Sequence, residues 1–262
     1  MDENGKPSAA QLEGQRGARR SLVGQDPGAL RALRGAMKDA ALQGKTVEEA
    51  AQAAIDVLYE ECQDTIALGR LFVSRRLDQL PDENQRFVQE LARSKGLRGL
   101  VSSTPVLSLL GTRGEQPGWN DRRRSQGHVG IPLLSDLVRE LPMITDLLKA
   151  LGIVLDKGDS RLVIGSPTGA IFSGMFHVPD ARAATDEAGR KVIPAQDFVE
   201  HHGIRTVFGV GGLYLSVDSM LAMLVFCREG VEEGVVRQLV PFASSFAAMT
   251  SAMIVKGDVF RR

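Results

Sequence analysis

Four histidines are the residues of this chain best suited to hold a metal or move a proton: His128, His177, His201 and His202. A neutral imidazole ligates haem iron, zinc and other transition metals, and its ordinary pKa lies close enough to neutrality for small shifts to change its charge. His128 falls in a long polar stretch and His177 at the end of an apolar run, the two places where a pocket would open. They are therefore the candidate metal ligands and ligand contacts. Each also has a plainer reading, His177 as a satisfied strand-end residue and His128 as a group that only orders its loop. His201 and His202 end a short helical segment, where the helix dipole accounts for them without any ligand.

Other reactive types are sparse. Cys227 closes an apolar run and reads as a small inert hydrophobe, a redox or haem-thiolate role being the alternative. Cys62 and Cys227 have no CxxC spacing, which argues against a disulfide framework and a zinc knuckle. No GxSxG is present, and the serine of GSPTG at 165–169 lacks those flanks, so hydrolysis is unsupported. No GxxxxGK[ST] occurs either, and Gly209, Gly211 and Gly212 lie inside an apolar run rather than before a helix. They read as a bulge or a close backbone approach. Arg122, Arg123 and Arg124 beside Trp119 can clamp an anion or stack on a base, or simply form a solvated basic loop. Phe172, Phe176, Phe208, Tyr214, Met220 and Met223 line an adaptable apolar interior, or fill a plain core.

The elements that must position these groups follow from periodicity. Residues 1–25 mix Gly, Gln, Arg, Ser and Glu and cannot offset their ordering entropy by burial, so they read as a disordered tail. Residues 26–262 read as one domain. Residues 27–63 are helical, with Thr46 and Glu49 as a capping box. The run 65–73 (TIALGRLFV) reads as a strand, and residues from Pro81 to Gly96 as a helix. Residues 111–132 carry glycines, prolines, Trp119 and three arginines without apolar period, and read as a long loop of the kind that forms lids or binding sites. Leu137, Leu141, Ile144, Leu148 and Leu151 mark a helix that Pro142 must kink or split. Strands follow at 161–164 and 170–178, and a short helix opens at Pro194. Residues 206–215 and 220–227 form the clearest hairpin. The last helix, about 231–254, carries Val235, Leu239, Phe242, Phe246, Met249 and Met253 as a heptad-like stripe, with Pro241 expected to kink or break it.

The bulk numbers set limits. Of 262 residues 43% are hydrophobic, enough for a proper core, and 32 basic residues balance 32 acidic ones. No global field draws the chain to nucleic acid or an anionic membrane. The N-terminus lacks an apolar signal region and no stretch supplies 18 uninterrupted apolar residues, so neither export nor a membrane span is expected, and a reducing cytoplasm fits.

The order helix, strand, helix, long connection, helix, strand hairpin, helix, ending in TVFGVGGLYLSVDSMLAMLVFCRE, resembles the GAF-like sensory domains of bacterial signalling proteins. The segments GWNDRRRSQGHVGIPL at 118–133, MFHVPDA at 175–181 and IPAQDFVEHHGIRTVFGVGG at 193–212 look like an input module found ahead of PAS and histidine-kinase domains. The resemblance implies an α+β fold in which a central antiparallel sheet, covered by helices, encloses a small-molecule or cofactor pocket, with long terminal helices forming a dimer seam. The chain reaches Arg262 without a phosphoacceptor helix, an ATP-binding region or a cyclase segment, so output activity is not implied.

These readings lead to a cytoplasmic, non-catalytic sensor that binds a small molecule or a cofactor such as haem, acts in a two-component type of pathway through a partner such as a histidine kinase, and forms a homodimer. Its expected ligand contacts are His128, His177, Trp119, Arg122 and Phe176, with His128 and His177 as metal ligands. The Val235 to Met253 stripe is the expected dimer seam. A ligand-free interaction scaffold is the first alternative, and a small enzyme on the same frame the second.

Overall fold

The computed structural model describes residues 20–125, 128–155, 162–164 and 173–261. Helix α1 (Pro27–Ala41) begins where the Asp26 carboxylate accepts from the backbone N–H groups of Gly28 and Ala29. Helix α2 (Val47–Cys62) begins at Thr46, whose hydroxyl accepts from Glu49 N at 3.2 Å. The Glu49 carboxylate reaches back to Lys45 N, one residue before the usual capping-box partner. Strand β1 (Ile66–Arg76), helix α3 (Asp82–Ser94), strand β2 (Pro105–Gly114) and strand β3 (Gly130–Pro132) follow. Pro142 splits the next helical segment into α4 (Ser135–Arg139) and α5 (Pro142–Ala150), because proline fits a first helical turn and not an interior one.

A small hairpin of β4 (Ile153–Leu155) and β5 (Leu162–Ile164) comes next, then β6 (Ser173–Val178) and α6 (Gln196–His201). The chain closes with the hairpin β7 (Thr206–Tyr214) and β8 (Ser219–Cys227) and the helix α7 (Glu233–Lys256). Six strands form one antiparallel sheet in the order β3-β2-β1-β8-β7-β6. The fold is α+β, with helices on both faces of that sheet.

Covering both faces explains why β7 and β8 are unbroken apolar runs: alternate side chains point to opposite faces, and both sets are dry. On one face Leu71, Val73, Phe208, Met223 and Val225 pack against α1, α2 and α7. On the other, Leu68, Phe72, Leu224 and Phe226 meet residues of α4, α5 and α6.

Three sequence expectations change. The loop placed at 111–132 is shorter, because Gly111 to Gly114 complete β2 and Gly130 to Pro132 form β3. A Cβ on Gly111 would lie 2.5 Å from the Ala51 carbonyl oxygen, so glycine is what lets α2 lie directly on the strand. Of the kink or break expected at Pro241 the break does not occur, since α7 runs through the proline. The proline sits on the exposed side, and the Arg34 guanidinium donates to the Gln238 carbonyl in the turn that proline loosens. Finally, Ser21 and Leu22 belong to the domain. Leu22 is fully buried, and the Ser21 hydroxyl bonds Thr65 Oγ1 at 2.8 Å and donates to Glu229 at 2.6 Å. Residues 1–19, Phe172 and the segment 165–169 lie outside the described residues.

Candidate functional site

Side chains two residues apart along a strand share a face, and so do those directly opposite on the neighbouring strand, as Leu68 and Phe226 or Arg70 and Leu224 are. Leu68, Arg70 and Phe72 of β1 and Leu224 and Phe226 of β8 therefore make one continuous floor. Trp119 and His128 from the 115–129 connection, Met143 of α5, and Pro194 and Phe198 at α6 close over it. The cavity between them is partly open, with a volume of about 230 Å³ and walls that are mostly apolar.

The roof is held by an aromatic and ionic cluster. Trp119 sits in a 3₁₀ turn, with its ring 4.7 Å from His202 and 5.7 Å from Phe198. Phe198 in turn meets Phe226 edge-on at 5.3 Å, which ties roof to floor. His202 Nδ1 bonds one oxygen of Glu115, and the other oxygen accepts from Arg228. Asn120 closes the turn by accepting from Gly114 N at 2.9 Å. The sequence reading gave His202 only a dipole role. Its partners lie in distant segments, so no local spacing announces them.

Arg70 is the polar group of the floor, and the sequence reading did not single it out. Only 7% of the residue is exposed, and Nη2 donates to Ser125 Oγ at 3.2 Å. Its Nε has no hydrogen-bond partner, and no carboxylate among the described residues pairs with it. Burial pulls the guanidinium down to about 10, so it stays charged near neutral pH. The available signal was a lone arginine inside the apolar run TIALGRLFV.

His128 is reachable by water, yet its ring stands among the cavity walls. Desolvation there, then repulsion from Arg70 and Lys95, pulls its pKa below the ordinary histidine value. Its φ of 55° makes it the one non-glycine residue with positive φ among the described residues. Left-handed backbone at a non-glycine residue is a strain often found at binding sites.

The remaining expected site residues go elsewhere. His177 follows Phe176 on β6 and so points to the opposite face, where its Nε2 bonds the Val231 carbonyl at 2.7 Å. It cannot share a metal with His128, and no group of three or more His, Cys, Asp or Glu suited to a metal occurs among the described residues. Nor does haem fit. The cavity is below the ~300–1,000 Å³ of common ligand sites, and among the described residues its lining holds one histidine, His128. Phe176 is on the cavity face of the sheet, but its ring fills the space left by Gly209 and does not line the cavity.

Arg122 is buried on the α2 side, with Nε 2.9 Å from Glu48 Oε2 and its guanidinium 5.3 Å from the centre of the Phe260 ring. It is a structural ion pair in place of the expected ligand clamp. The dimer stripe also divides. Leu239, Phe242 and Phe246 are at most 1% exposed within the chain's own core, leaving Val235, Met249 and Met253 half-buried. By length and composition α7 could cross a membrane, but its buried residues are spent on the sheet. Cys62 and Cys227 are both buried. Burial pushes the Cys62 thiol up to about 12 and Cys227 up as well, which leaves neither reactive.

No protein-family model matches the chain, and no curated protein matches it. Solved structures of GAF domains are similar to it. The GAF domain of an Acinetobacter phosphoenolpyruvate-protein phosphotransferase is 10% identical, with 88% of this chain and 98% of that one covered and a TM-score of 0.48. The phycoerythrobilin-bound GAF domain of a cyanobacterial phytochrome is 8% identical, with 89% and 99% covered and a TM-score of 0.43. A further GAF-domain structure is 10% identical, with 87% and 91% covered and a TM-score of 0.43.

Proposed function

We propose that the chain is a non-catalytic sensory module, that a small molecule occupies the cavity between the β1/β8 floor and the Trp119–His128 roof, and that occupancy is read by a partner protein. The cavity itself carries this reading: it is a partly open concavity, largely apolar, with a few convergent polar groups, the usual form of a small-molecule site. Among its lining residues Arg70 and His128 are the titratable ones, and no carboxylate among the described lining residues stands with them to make a proton-transfer pair. Binding and not turnover is what such a lining supports.

Strand β8 offers a route outward. Leu224 and Phe226 touch the cavity, while Met223 and Val225, their immediate neighbours in sequence, pack toward α7 on the other face. A ligand that favours one packing of β8 shifts the position of α7 by as much as its affinities for the two packings differ. The half-buried Val235, Met249 and Met253, with Val255 at 63% exposure, are the part of α7 left for a signalling partner or a second copy.

The test is a thermal-shift screen of small apolar and aromatic metabolites on the wild-type chain and on Leu224→Trp, which fills the cavity from its floor. Binders should raise the melting temperature of the wild type and not of the variant. Equal shifts in both proteins, or no shift with any compound, would sink the proposal.

A further inference from the structure

The chemical class of the ligand can be read from Arg70, granted that the cavity is a ligand site. A guanidinium presents five N–H donors in a planar fork that matches a carboxylate. In this chain one of these is spent on Ser125 Oγ at 3.2 Å, and Nε is sealed from water without a partner. The other buried arginine of this region shows what is usual: Arg122, 3% exposed, has a carboxylate at 2.9 Å. Arg70 is nearly as buried, and the lining of its cavity holds no acidic side chain among the described residues. Burying a charge without a counter-charge is costly, so an arginine left so is a site for a counter-charge from outside.

We propose that Arg70 anchors the carboxylate of a small apolar monocarboxylic acid whose body lies between Phe72, Trp119, Phe198 and Phe226. One guanidinium matches one negative charge. His128, neutral at the mouth, can add a hydrogen bond but no second cation, which disfavours a dianionic phosphate. The aromatic walls and the volume of about 230 Å³ fit a single ring or a short branched chain.

The experiment compares acids with their amides on the full chain by calorimetry and thermal shift: benzoate, phenylacetate, indole-3-acetate and 4-methylpentanoate, each beside its amide, with phenyl phosphate as the phosphate arm. At least one acid should bind about 100-fold or more tighter than its amide, because the amide leaves the buried charge unmatched. Arg70→Met should abolish that preference while keeping amide binding, and Arg70→Lys, which keeps the charge but loses the fork, should fall between. Should Arg70→Met fail to fold, the acid-to-amide ratio on the wild type decides alone. Amides that bind as well as acids, or phenyl phosphate that binds better than phenylacetate, overturn the carboxylate assignment and leave the cavity reading standing. No binding by acid, amide or phosphate overturns both.

Discussion

Replacing Arg122 with methionine leaves the Glu48 carboxylate, 9% exposed, with the backbone N–H of Arg261 at 2.9 Å as its remaining partner. The pair it loses is a charge–charge contact at 2.9 Å in which Nε is not aimed as a hydrogen bond, supported by a 3.4 Å contact from Nη1 to Asn84 Oδ1 and by the Phe260 ring at 5.3 Å. Removing one member of a buried pair costs about 3–5 kcal/mol, because the other charge stays buried. That is a large part of the ~5–15 kcal/mol that holds a domain together. At about 2–4 °C per kcal/mol for a chain approaching this size, the melting temperature should fall by about 6–20 °C. The double variant Glu48→Leu with Arg122→Met removes both charges from an apolar setting and should recover most of that loss, giving a coupling of at least about 2 kcal/mol in a double-mutant cycle. Urea denaturation of the four proteins measures it. The cycle also tests the placement of Arg122 away from the cavity, since ligand affinity should be the same in Arg122→Met as in the wild type. A single-variant loss under about 1 kcal/mol, an additive cycle, or a ligand affinity that falls with Arg122 would refute the reasoning.

Three further outcomes are expected. Gly111→Ala places a methyl group 2.5 Å from the Ala51 carbonyl oxygen and should destabilise by about 1–3 kcal/mol, whereas Gly35→Ala, inside α1 with nothing within 4 Å, should stabilise by about 0.5–1 kcal/mol; equal effects in urea denaturation would contradict the close α2–β2 approach. His128, held below its ordinary pKa by desolvation, Arg70 and Lys95, contributes stability that is present above the unfolded value near 6.5 and is lost as pH falls through the folded value. An NMR titration should show its ring titrating below 6.5, and a bound carboxylate at Arg70 should raise that midpoint, so that binding takes up protons; proton release in buffers of different ionisation enthalpy would count against the placement. Cys62 and Cys227 should react with a thiol reagent only as fast as the chain unfolds, and fast modification in native buffer would show that their burial is wrong.

What was legible in the sequence was whatever depends on neighbours in the chain. The β7/β8 hairpin, the Thr46 cap and the split at Pro142 are all local, set by an apolar run, a hydroxyl three residues from a glutamate, and a ring without an N–H. Strand β2 was hidden because it opens on Pro105 and ends in Gly-Thr-Arg-Gly, residues that read as loop. They belong to a strand because α2 lies on it: Gly111 admits the helix backbone, and Arg113 lies 3.7 Å from Asp56 of that helix. The heptad pattern of the α7 stripe says only that one face of the helix is apolar. Whether the sheet or another chain covers that face is decided by topology.

The site followed the same division. Trp119 and His128 stand out in the sequence because a long polar connection with an aromatic and an imidazole is unusual, and both line the cavity. His177 and Arg122 were assigned to the same pocket because sequence order does not say which face of a sheet a residue takes, or which side of the sheet a loop arginine will reach. For His177 the decision was one residue of register: Phe176 faces the cavity side and its neighbour necessarily does not. For Arg122 it was Glu48, far back in the chain, which supplies the counter-charge that Arg70 lacks. The two buried arginines thus differ in one respect that sequence composition cannot display. One has its anion built into the fold, and the other lines a cavity whose described walls hold no acidic side chain.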